Sequence, residues 1–241
     1  MTVRAVVLSG GLTHDFPATT GCLSAVLEAE GLTPEVHTRV DDALLALPGA
    51  ALFVVNALRW TMTGEATPAR YRELAATEGA SPSPAARDAL AAHLRRGGGV
   101  LGMHTASICF DDWPGWGEVL GGAWVWGRSH HPPLGPPVRV RIAGEHEIVA
   151  GLDDFTVVDE VYGGLDLRPG LVPLVTARQP AGPDTGPDSI PDTTTAHPLL
   201  WAREHGGGRV VYDALGHHPP SYEVPEHREI VRRAVRWTTG R

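Results

Sequence analysis

Hydrophobic residues in the first hundred positions alternate between short apolar runs and segments with helical spacing. Four runs predict strands: Arg4 to Ser9, Pro34 to Thr38, Ala51 to Asn56 and Val100 to Met103. Three segments between them predict helices: Thr19 to Glu30, Asp41 to Leu47, and a segment that opens at Ser83-Pro84 and ends before Gly97. This alternation predicts a parallel sheet with helices on both faces.

The second half of the chain contains more strands than helices. Predicted strands are Val138 to Ile142, Phe155 to Tyr162, Leu171 to Thr176, and a hairpin of Pro198 to Arg203 with Arg209 to Tyr212. Predicted helices are Trp113 to Leu120 and Glu226 to Trp237. With no repeat and no clean boundary, we predict one α/β domain over residues 1–241, a three-layer sandwich with a mostly parallel central sheet and an antiparallel extension.

Two long stretches show no clear periodicity. They are Arg59 to Pro82 and Arg178 to His197, and the second is rich in Pro, Asp, Thr and Gly. Loops of this length are usually either functional lids or disordered segments. The sequence leaves both interpretations open for each stretch.

The composition narrows the classes of partner. Twenty basic residues, all arginine, face 28 acidic ones for a net charge of −8, which argues against a nucleic-acid-binding protein. No run approaches the roughly 18 to 20 apolar residues of a membrane helix. The first residues lead directly into a strand rather than a signal peptide, so we expect a cytoplasmic protein with no membrane partner. Two cysteines, Cys22 and Cys109, are too few for a disulfide framework. The sequence is compatible with a homo-oligomer.

Polar residues follow several predicted strands where a ligand site would form. In an open parallel sheet, ligands bind outside the carboxyl ends of the strands. The twelve histidines draw attention to these ends because about four of them, counting one from each adjacent pair, stand there or in adjoining loops where a single site could gather them. The residues at strand ends are His14, Asp15, His104, Asp159, Glu160, Tyr162, His217 and His218, and one loop carries Trp124, Trp126, His130 and His131.

Each of these residues also has an ordinary structural interpretation. A lone histidine that ends a buried strand, such as His104, is more often a hydrogen-bonded structural residue than a ligand. Adjacent side chains in extended backbone point to opposite sides, so at most one of each pair can face a common site. The pairs are His130-His131, His217-His218 and Asp159-Glu160. We interpret four other histidines, His37, His93, His205 and His227, as surface or helix residues without a role.

The pentapeptide from Gly102 to Ala106 (GMHTA) lies where related α/β folds carry a nucleophile. There, a strand–turn–helix elbow presents Ser or Cys at the centre of a G-x-S-x-G motif. The central residue here is His104, and Cys109 stands five positions later. Since an imidazole cannot form a thioester, we predict no cysteine-dependent amide hydrolysis at this elbow.

An ordered series of motifs runs through most of the chain. The segments are 97–106 (GGGVLGMHTA), 120–122 (LGG), His146 with Gly151-Leu152 and Phe155, 159–162 (DEVY), 197–201 (HPLLW), 208–212 (GRVVY), 215–217 (LGH) and Trp237. This series resembles the ThuA-like family, which is named after a trehalose-utilisation protein and shares the fold of class I glutamine amidotransferase domains. The chain departs from the family pattern at Glu147, where the family usually has proline, and in a longer loop from Trp60 to Pro82.

The resemblance implies a flavodoxin-like sandwich in which His104 replaces the amidotransferase cysteine. It also implies a role in the metabolism of trehalose or related disaccharides, including 3-keto sugars, without glutaminase activity. By this analogy we expect a small-molecule carbohydrate partner in a pocket of histidines, carboxylates and tryptophans. We assign catalytic roles to Asp159, Glu160 and His104, and substrate binding to His14, Asp15, Trp126, Tyr162 and Tyr222.

Two mechanisms fit these residues. His104, His217 and one of His130 and His131, with His130 as our first choice, would bind zinc or another divalent ion together with a carboxylate. Without a metal, Asp159 or Glu160 would act as acid and base with a histidine. The enzyme class, whether hydrolase, lyase or isomerase, stays open, and a non-catalytic sugar-binding or regulatory domain is the alternative.

Overall fold

The computed structural model describes residues 3–180 and 193–241. Its strands are β1 (Val3–Gly11), β2 (Leu32–His37), β3 (Leu52–Leu58), β4 (Gly99–Met103), β5 (Gly122–Ala123), β6 (Val138–Ile142), β7 (Phe155–Val157), β8 (Asp166–Leu167), β9 (Val175–Ala177), β10 (His197–His205) and β11 (Gly208–Asp213). The helices are α1 (Phe16–Ala29), α2 (Val40–Leu45), α3 (Ala69–Arg72), α4 (Ala75–Glu78), α5 (Pro84–Arg95), α6 (Pro114–Leu120), α7 (Pro219–Glu223) and α8 (Pro225–Thr239), with a 3-10 helix over His104–Ser107.

Nine of the described strands form one sheet in the order β2-β1-β3-β4-β11-β10-β9-β6-β7. The first five run parallel to one another, and β10, β9, β6 and β7 each run antiparallel to their neighbours. β5 and β8 form a separate antiparallel pair. The prediction of a mostly parallel central sheet with an antiparallel extension is confirmed.

Helices cover both faces of the parallel half. α1, α7 and α8 contact one another on one face, and α2, α5 and α6 pack on the other. α5 begins as predicted because the Ser83 hydroxyl accepts a hydrogen bond from the Ala86 amide and Pro84 occupies the first turn. α1 begins three residues earlier than predicted because Asp15 caps it. The fold is the predicted three-layer α/β sandwich of flavodoxin-like type.

Three predicted segments differ from the structure. The strand predicted over Phe155 to Tyr162 ends at Val157, and the one predicted over Leu171 to Thr176 is only β9. The stretch from Arg59 to Pro82 holds the one-turn helices α3 and α4. Its Trp60 and Met62 are buried with Phe16, Leu58, Ile108 and Tyr162 in a small apolar cluster. Residues 181–192 of the other predicted loop lie outside the described residues.

Two histidines interpreted as surface or helix residues are buried. His93 of α5 places its Nε2 2.9 Å from the Gly99 carbonyl oxygen. His227 of α8 pairs with Asp213 at 3.1 Å from Nε2 to Oδ2. Both rings lie on the inner faces of their helices, where these polar partners compensate for the loss of water. None of the helices in the described part of the chain combines the length and the apolarity needed to cross a bilayer.

Candidate functional site

His104 stands at the sharp turn between β4 and the 3-10 helix. Its φ of 45° lies in the left-handed region, which is uncommon for residues other than glycine. A Cβ on Gly102 would lie 2.8 Å from Leu120 Cδ1 and 3.2 Å from Ala106 Cβ, so a side chain there would crowd the turn. The turn therefore has the strand–turn–helix geometry of a nucleophile elbow, with an imidazole at the position of the nucleophile.

Four side chains from separate segments converge at the carboxyl ends of the parallel strands. His14 follows β1, His104 follows β4, His217 follows β11, and Glu160 comes from the segment after β7. One ligand atom from each lies within 4.8 Å of the others. Measured from His104 Nε2, the distances are 3.1 Å to His14 Nε2, 3.3 Å to His217 Nδ1 and 3.4 Å to Glu160 Oε2. We call this group the His/Glu cluster.

In His104 and His14, the ring nitrogen that points away from the cluster has a backbone carbonyl as its hydrogen-bond partner, and this fixes the orientation of each ring. His104 Nδ1 donates to the Ala214 carbonyl at 2.7 Å, which leaves Nε2 directed at the other ligand atoms. His14 Nδ1 lies 3.3 Å from the Leu12 carbonyl oxygen, so its Nε2 also faces inward. Metal-binding histidines are usually held in this way by a carbonyl or carboxylate.

The donor set fits a divalent cation. Glu160 Oε2 is buried and accepts no hydrogen bond, and the inward-facing nitrogens of His14, His104 and His217 lie around it. The three separations measured from His104 Nε2, 3.1 to 3.4 Å, match the roughly 3.3 Å edge of a tetrahedron with metal–nitrogen bonds of about 2.0–2.1 Å, and the other separations are within 4.8 Å. Three imidazoles and one carboxylate are ligands that suit zinc and other transition metals.

The cluster carries a carboxylate and at least one neutral imidazole near neutral pH. Burial opposes ionisation of Glu160, but the neighbouring His104 and His217 imidazoles outweigh it and hold its pKa well below the usual range. Burial likewise opposes protonation of His104, yet the Glu160 carboxylate raises the pKa of His104. Burial, together with the neighbouring histidines, lowers the pKa of His14 to about 3. Tyr162 stays a phenol because burial raises its pKa, and its hydroxyl lies 3.0 Å from His104 Nε2.

Asp159, predicted to be catalytic, faces away from the cluster. Its carboxylate accepts hydrogen bonds from the backbone amides of Glu160 at 2.8 Å, Gly216 at 2.7 Å and His217 at 3.3 Å, and from the Ser221 hydroxyl at 2.5 Å. These bonds replace the ladder bonds of the strand predicted here. The structure therefore makes Asp159 a positioning residue for the loop that carries His217.

Some of the other predicted site residues contact the cluster, and the rest only support the surrounding backbone. The His130 ring is not part of the cluster, and its Nδ1 lies 3.1 Å from the Arg128 carbonyl oxygen. His131 faces inward instead, with Nδ1 3.3 Å from Glu160 Oε1, because adjacent side chains alternate in direction. Asp15 caps α1, and Tyr222 is buried beneath the His217 loop with its hydroxyl against Gly216.

A cavity of about 530 Å³ opens beside the cluster. His14, His131 and Tyr162 line its inner end, and Trp60, Tyr71, Trp124 and Trp126 line the rest. Of these, the sequence analysis missed Trp60 and Tyr71. Trp60 comes two residues after the carboxyl end of β3. The rule that ligands bind at the carboxyl ends of parallel strands, which we applied to the other strands, would therefore have identified it. Tyr71 had no comparable signal, because it lies on a one-turn helix in a stretch without periodicity.

Cys109 is a buried structural residue. Its thiol donates to the Ala57 carbonyl at 3.1 Å and accepts from the Arg59 amide at 3.3 Å. Burial raises the pKa of this thiol to about 12, so the reactive thiolate is scarce at neutral pH.

We expect the native protein to release no ammonia from glutamine and an alkylating glutamine analogue to leave Cys109 unmodified. The half-buried Cys22 serves as the internal comparison, and both thiols should react with iodoacetamide after unfolding in urea. Peptide mass spectrometry measures each modification. Rapid labelling of Cys109 by the analogue in the folded protein would contradict this expectation.

Comparison with known proteins agrees with the fold. The fold and site define a flavodoxin-like α/β protein that carries an imidazole at its nucleophile elbow. The chain belongs to the ThuA family, whose model, described as trehalose utilisation, matches residues 4–238. No curated protein matches the sequence significantly.

Solved structures share this fold at low sequence identity. A ThuA-like protein from Parabacteroides merdae superposes with a TM-score of 0.74 at 15% identity, covering 99% of this chain and 90% of that one. A ThuA-like protein from Bacteroides uniformis gives 0.65 at 18% identity, covering 98% and 91%. A β-galactosidase from Rahnella sp. R3 gives 0.56 at 15% identity, covering 98% of this chain and 31% of that one.

Proposed function

We propose that this ThuA-family protein is a metal-dependent enzyme that acts on a disaccharide or keto-sugar derivative related to trehalose. The His/Glu cluster at the inner end of an aromatic cavity is the observation that carries the proposal. His14, His104, Glu160 and His217 would hold the ion. A divalent ion supplies a Lewis acid that polarises a sugar carbonyl or lowers the pKa of bound water.

His131 is the best-placed group for acid–base chemistry beside the cluster. Its Nδ1 lies 2.9 Å from the Pro132 carbonyl oxygen and 3.3 Å from Glu160 Oε1, so this nitrogen carries the proton. In the neutral ring, Nε2 then keeps its lone pair and accepts a proton from the substrate. The side chain is 35% exposed and lines the cavity, in contrast to the 2% exposure of His104. His131 thus takes the role first assigned to Asp159, whose hydrogen bonds commit it to the His217 loop.

The proposal also depends on the walls of the cavity. Sugars present apolar C–H faces that pack on aromatic rings and hydroxyl groups that need hydrogen-bond partners. The Trp124 and Trp126 rings lie 5.8 Å apart and lead from Tyr162 toward the outer part of the cavity. The His131 ring adds a polar group at its inner end. Such a mixture of apolar walls and a few polar groups is typical of small-molecule sites.

The test is a screen of trehalose, sucrose and their 3-keto forms with chelator-treated protein and with protein loaded with zinc, manganese or ferrous iron. We expect product from at least one sugar with loaded protein and none after chelation. Equal turnover in both preparations would contradict the metal-dependent mechanism and favour acid–base catalysis by the side chains alone. Calorimetric binding of a sugar without turnover in any preparation would favour the non-catalytic sugar-binding domain.

A further inference from the structure

Aromatic side chains continue the cavity wall well beyond the His/Glu cluster. Tyr71 and Trp126 present partly exposed rings to its outer part, and the fully buried Trp60 packs behind them; we call these three residues the outer aromatic subsite. The Trp60 and Trp126 rings lie 5.9 Å apart and are inclined by 30°, while the Tyr71 ring lies 5.4 Å from Trp60 and 5.9 Å from Trp126. Trp124 joins this subsite to the inner end, since its ring is 5.8 Å from Trp126 and 5.1 Å from Tyr162.

Polar donors stand beside these rings at the rim of the cavity. Arg70 is exposed and lines the cavity, and its guanidinium carbon lies 4.7 Å from the centre of the Tyr71 ring. The indole Nε1 atoms of Trp60 and Trp124 are buried out of reach of a ligand, so the guanidinium supplies the donors of this subsite. Ring faces combined with such donors are the features that bind a sugar ring through its C–H face and its hydroxyl groups.

The position of this subsite separates it from the reacting groups. The cluster contacts Tyr162, and ring contacts run from Tyr162 through Trp124 and Trp126 before they reach Tyr71. The whole cavity, about 530 Å³, lies in the range of roughly 300–1,000 Å³ for sites that hold drug-sized ligands. A sugar ring at the cluster therefore leaves the outer aromatic subsite for another part of the same ligand.

We infer that the outer aromatic subsite binds the second ring of a two-ring sugar whose first ring lies at the His/Glu cluster. Selection of two-ring over one-ring sugars then depends on Tyr71 and Arg70. This inference rests on the proposed function and identifies the residues that set its substrate class.

Isothermal calorimetry of the full-length protein with trehalose, sucrose and glucose tests it. We expect a two-ring sugar to bind more tightly than glucose, and Tyr71→Ala to weaken that binding about tenfold while leaving glucose binding unchanged. Arg70→Ala removes the exposed donors beside Tyr71 without changing a core side chain, and should weaken two-ring binding in the same way. Glu73→Ala is the matched control, because Glu73 is exposed beside α3 and does not line the cavity.

The outcomes separate this inference from the proposed function. Equal affinity for glucose and both two-ring sugars in the wild type would overturn the inference alone. An equal loss of glucose and two-ring binding in Tyr71→Ala would do the same. If none of the sugars binds the wild type, the proposed function fails and the inference falls with it.

Discussion

Replacing His104 by asparagine should abolish binding of a divalent ion. Asparagine tolerates the positive φ at this turn better than alanine does, so the variant removes the imidazole with the least disturbance of the backbone. His217→Ala should lose the ion in the same way. Because both residues belong to the proposed ligand set, we expect a loss of affinity larger than the roughly 10- to 100-fold cost of removing a group that only hydrogen-bonds to a ligand.

Elemental analysis after loading with zinc, manganese or ferrous iron and removal of excess ion measures this effect. The wild type should retain one equivalent of at least one metal, and the two variants should retain none. His205→Ala is the matched control, since His205 ends β10 away from the cluster and should leave the metal content unchanged. Circular dichroism checks that each variant is folded. Metal-free wild-type protein under all three loadings would refute the metal site.

Removing the imidazole of His227 should destabilise the fold by about 3–5 kcal/mol. Its Nδ1 lies 2.7 Å from the Ser221 carbonyl oxygen and its Nε2 lies 3.1 Å from Asp213 Oδ2. Both neighbours are acceptors, so both ring nitrogens donate and the ring is positively charged. In His227→Ala the buried Asp213 carboxylate loses its counter-charge, and the cost is large because little water reaches it. Urea unfolding of the variant and the wild type measures the difference.

The same pair makes stability depend on pH. Burial opposes protonation of His227, but the Asp213 charge and hydrogen bond, the Ser221 carbonyl and the more distant Asp159 raise its pKa above 6.5. The folded state holds the His227 proton more tightly than the unfolded state does. The contribution of this proton to the free energy of unfolding is therefore complete below about pH 6.5 and is lost as pH rises through the folded-state pKa of His227. The free-energy difference between the wild type and His227→Ala should therefore shrink from pH 6 to pH 9. A difference that grows with pH would contradict the charged pair.

The sequence predicted the parallel half of the fold well because its signals are local. The runs around Val54 and Leu101 are apolar enough to indicate strands buried on both faces, and Ser83 with Pro84 marks a helix start. The antiparallel extension was predicted less accurately because long-range contacts shorten its strands. Residues 158–163 leave the sheet where the Asp159 carboxylate binds a loop more than fifty residues away.

The strand-end rule brought His14, His104, Glu160 and His217 to one region, since parallel strands end at the same edge of the sheet. It could not choose between neighbours in irregular backbone, and we therefore named His130 where the structure turns His131 inward. The burial of His227 had a signal that we did not use. It precedes Ile230 and Val231 by three and four positions, on the same face of α8.

The opposite directions of Asp159 and Glu160 link two parts of the site. Glu160 brings a carboxylate oxygen to the His/Glu cluster from the antiparallel extension, while Asp159 binds the backbone amides of Gly216 and His217 at the end of the parallel half. A displacement of this short segment would therefore move the Glu160 carboxylate directly and shift the backbone of His217 with it. A change in the segment after β7 would alter the spacing of the whole cluster rather than the position of one side chain.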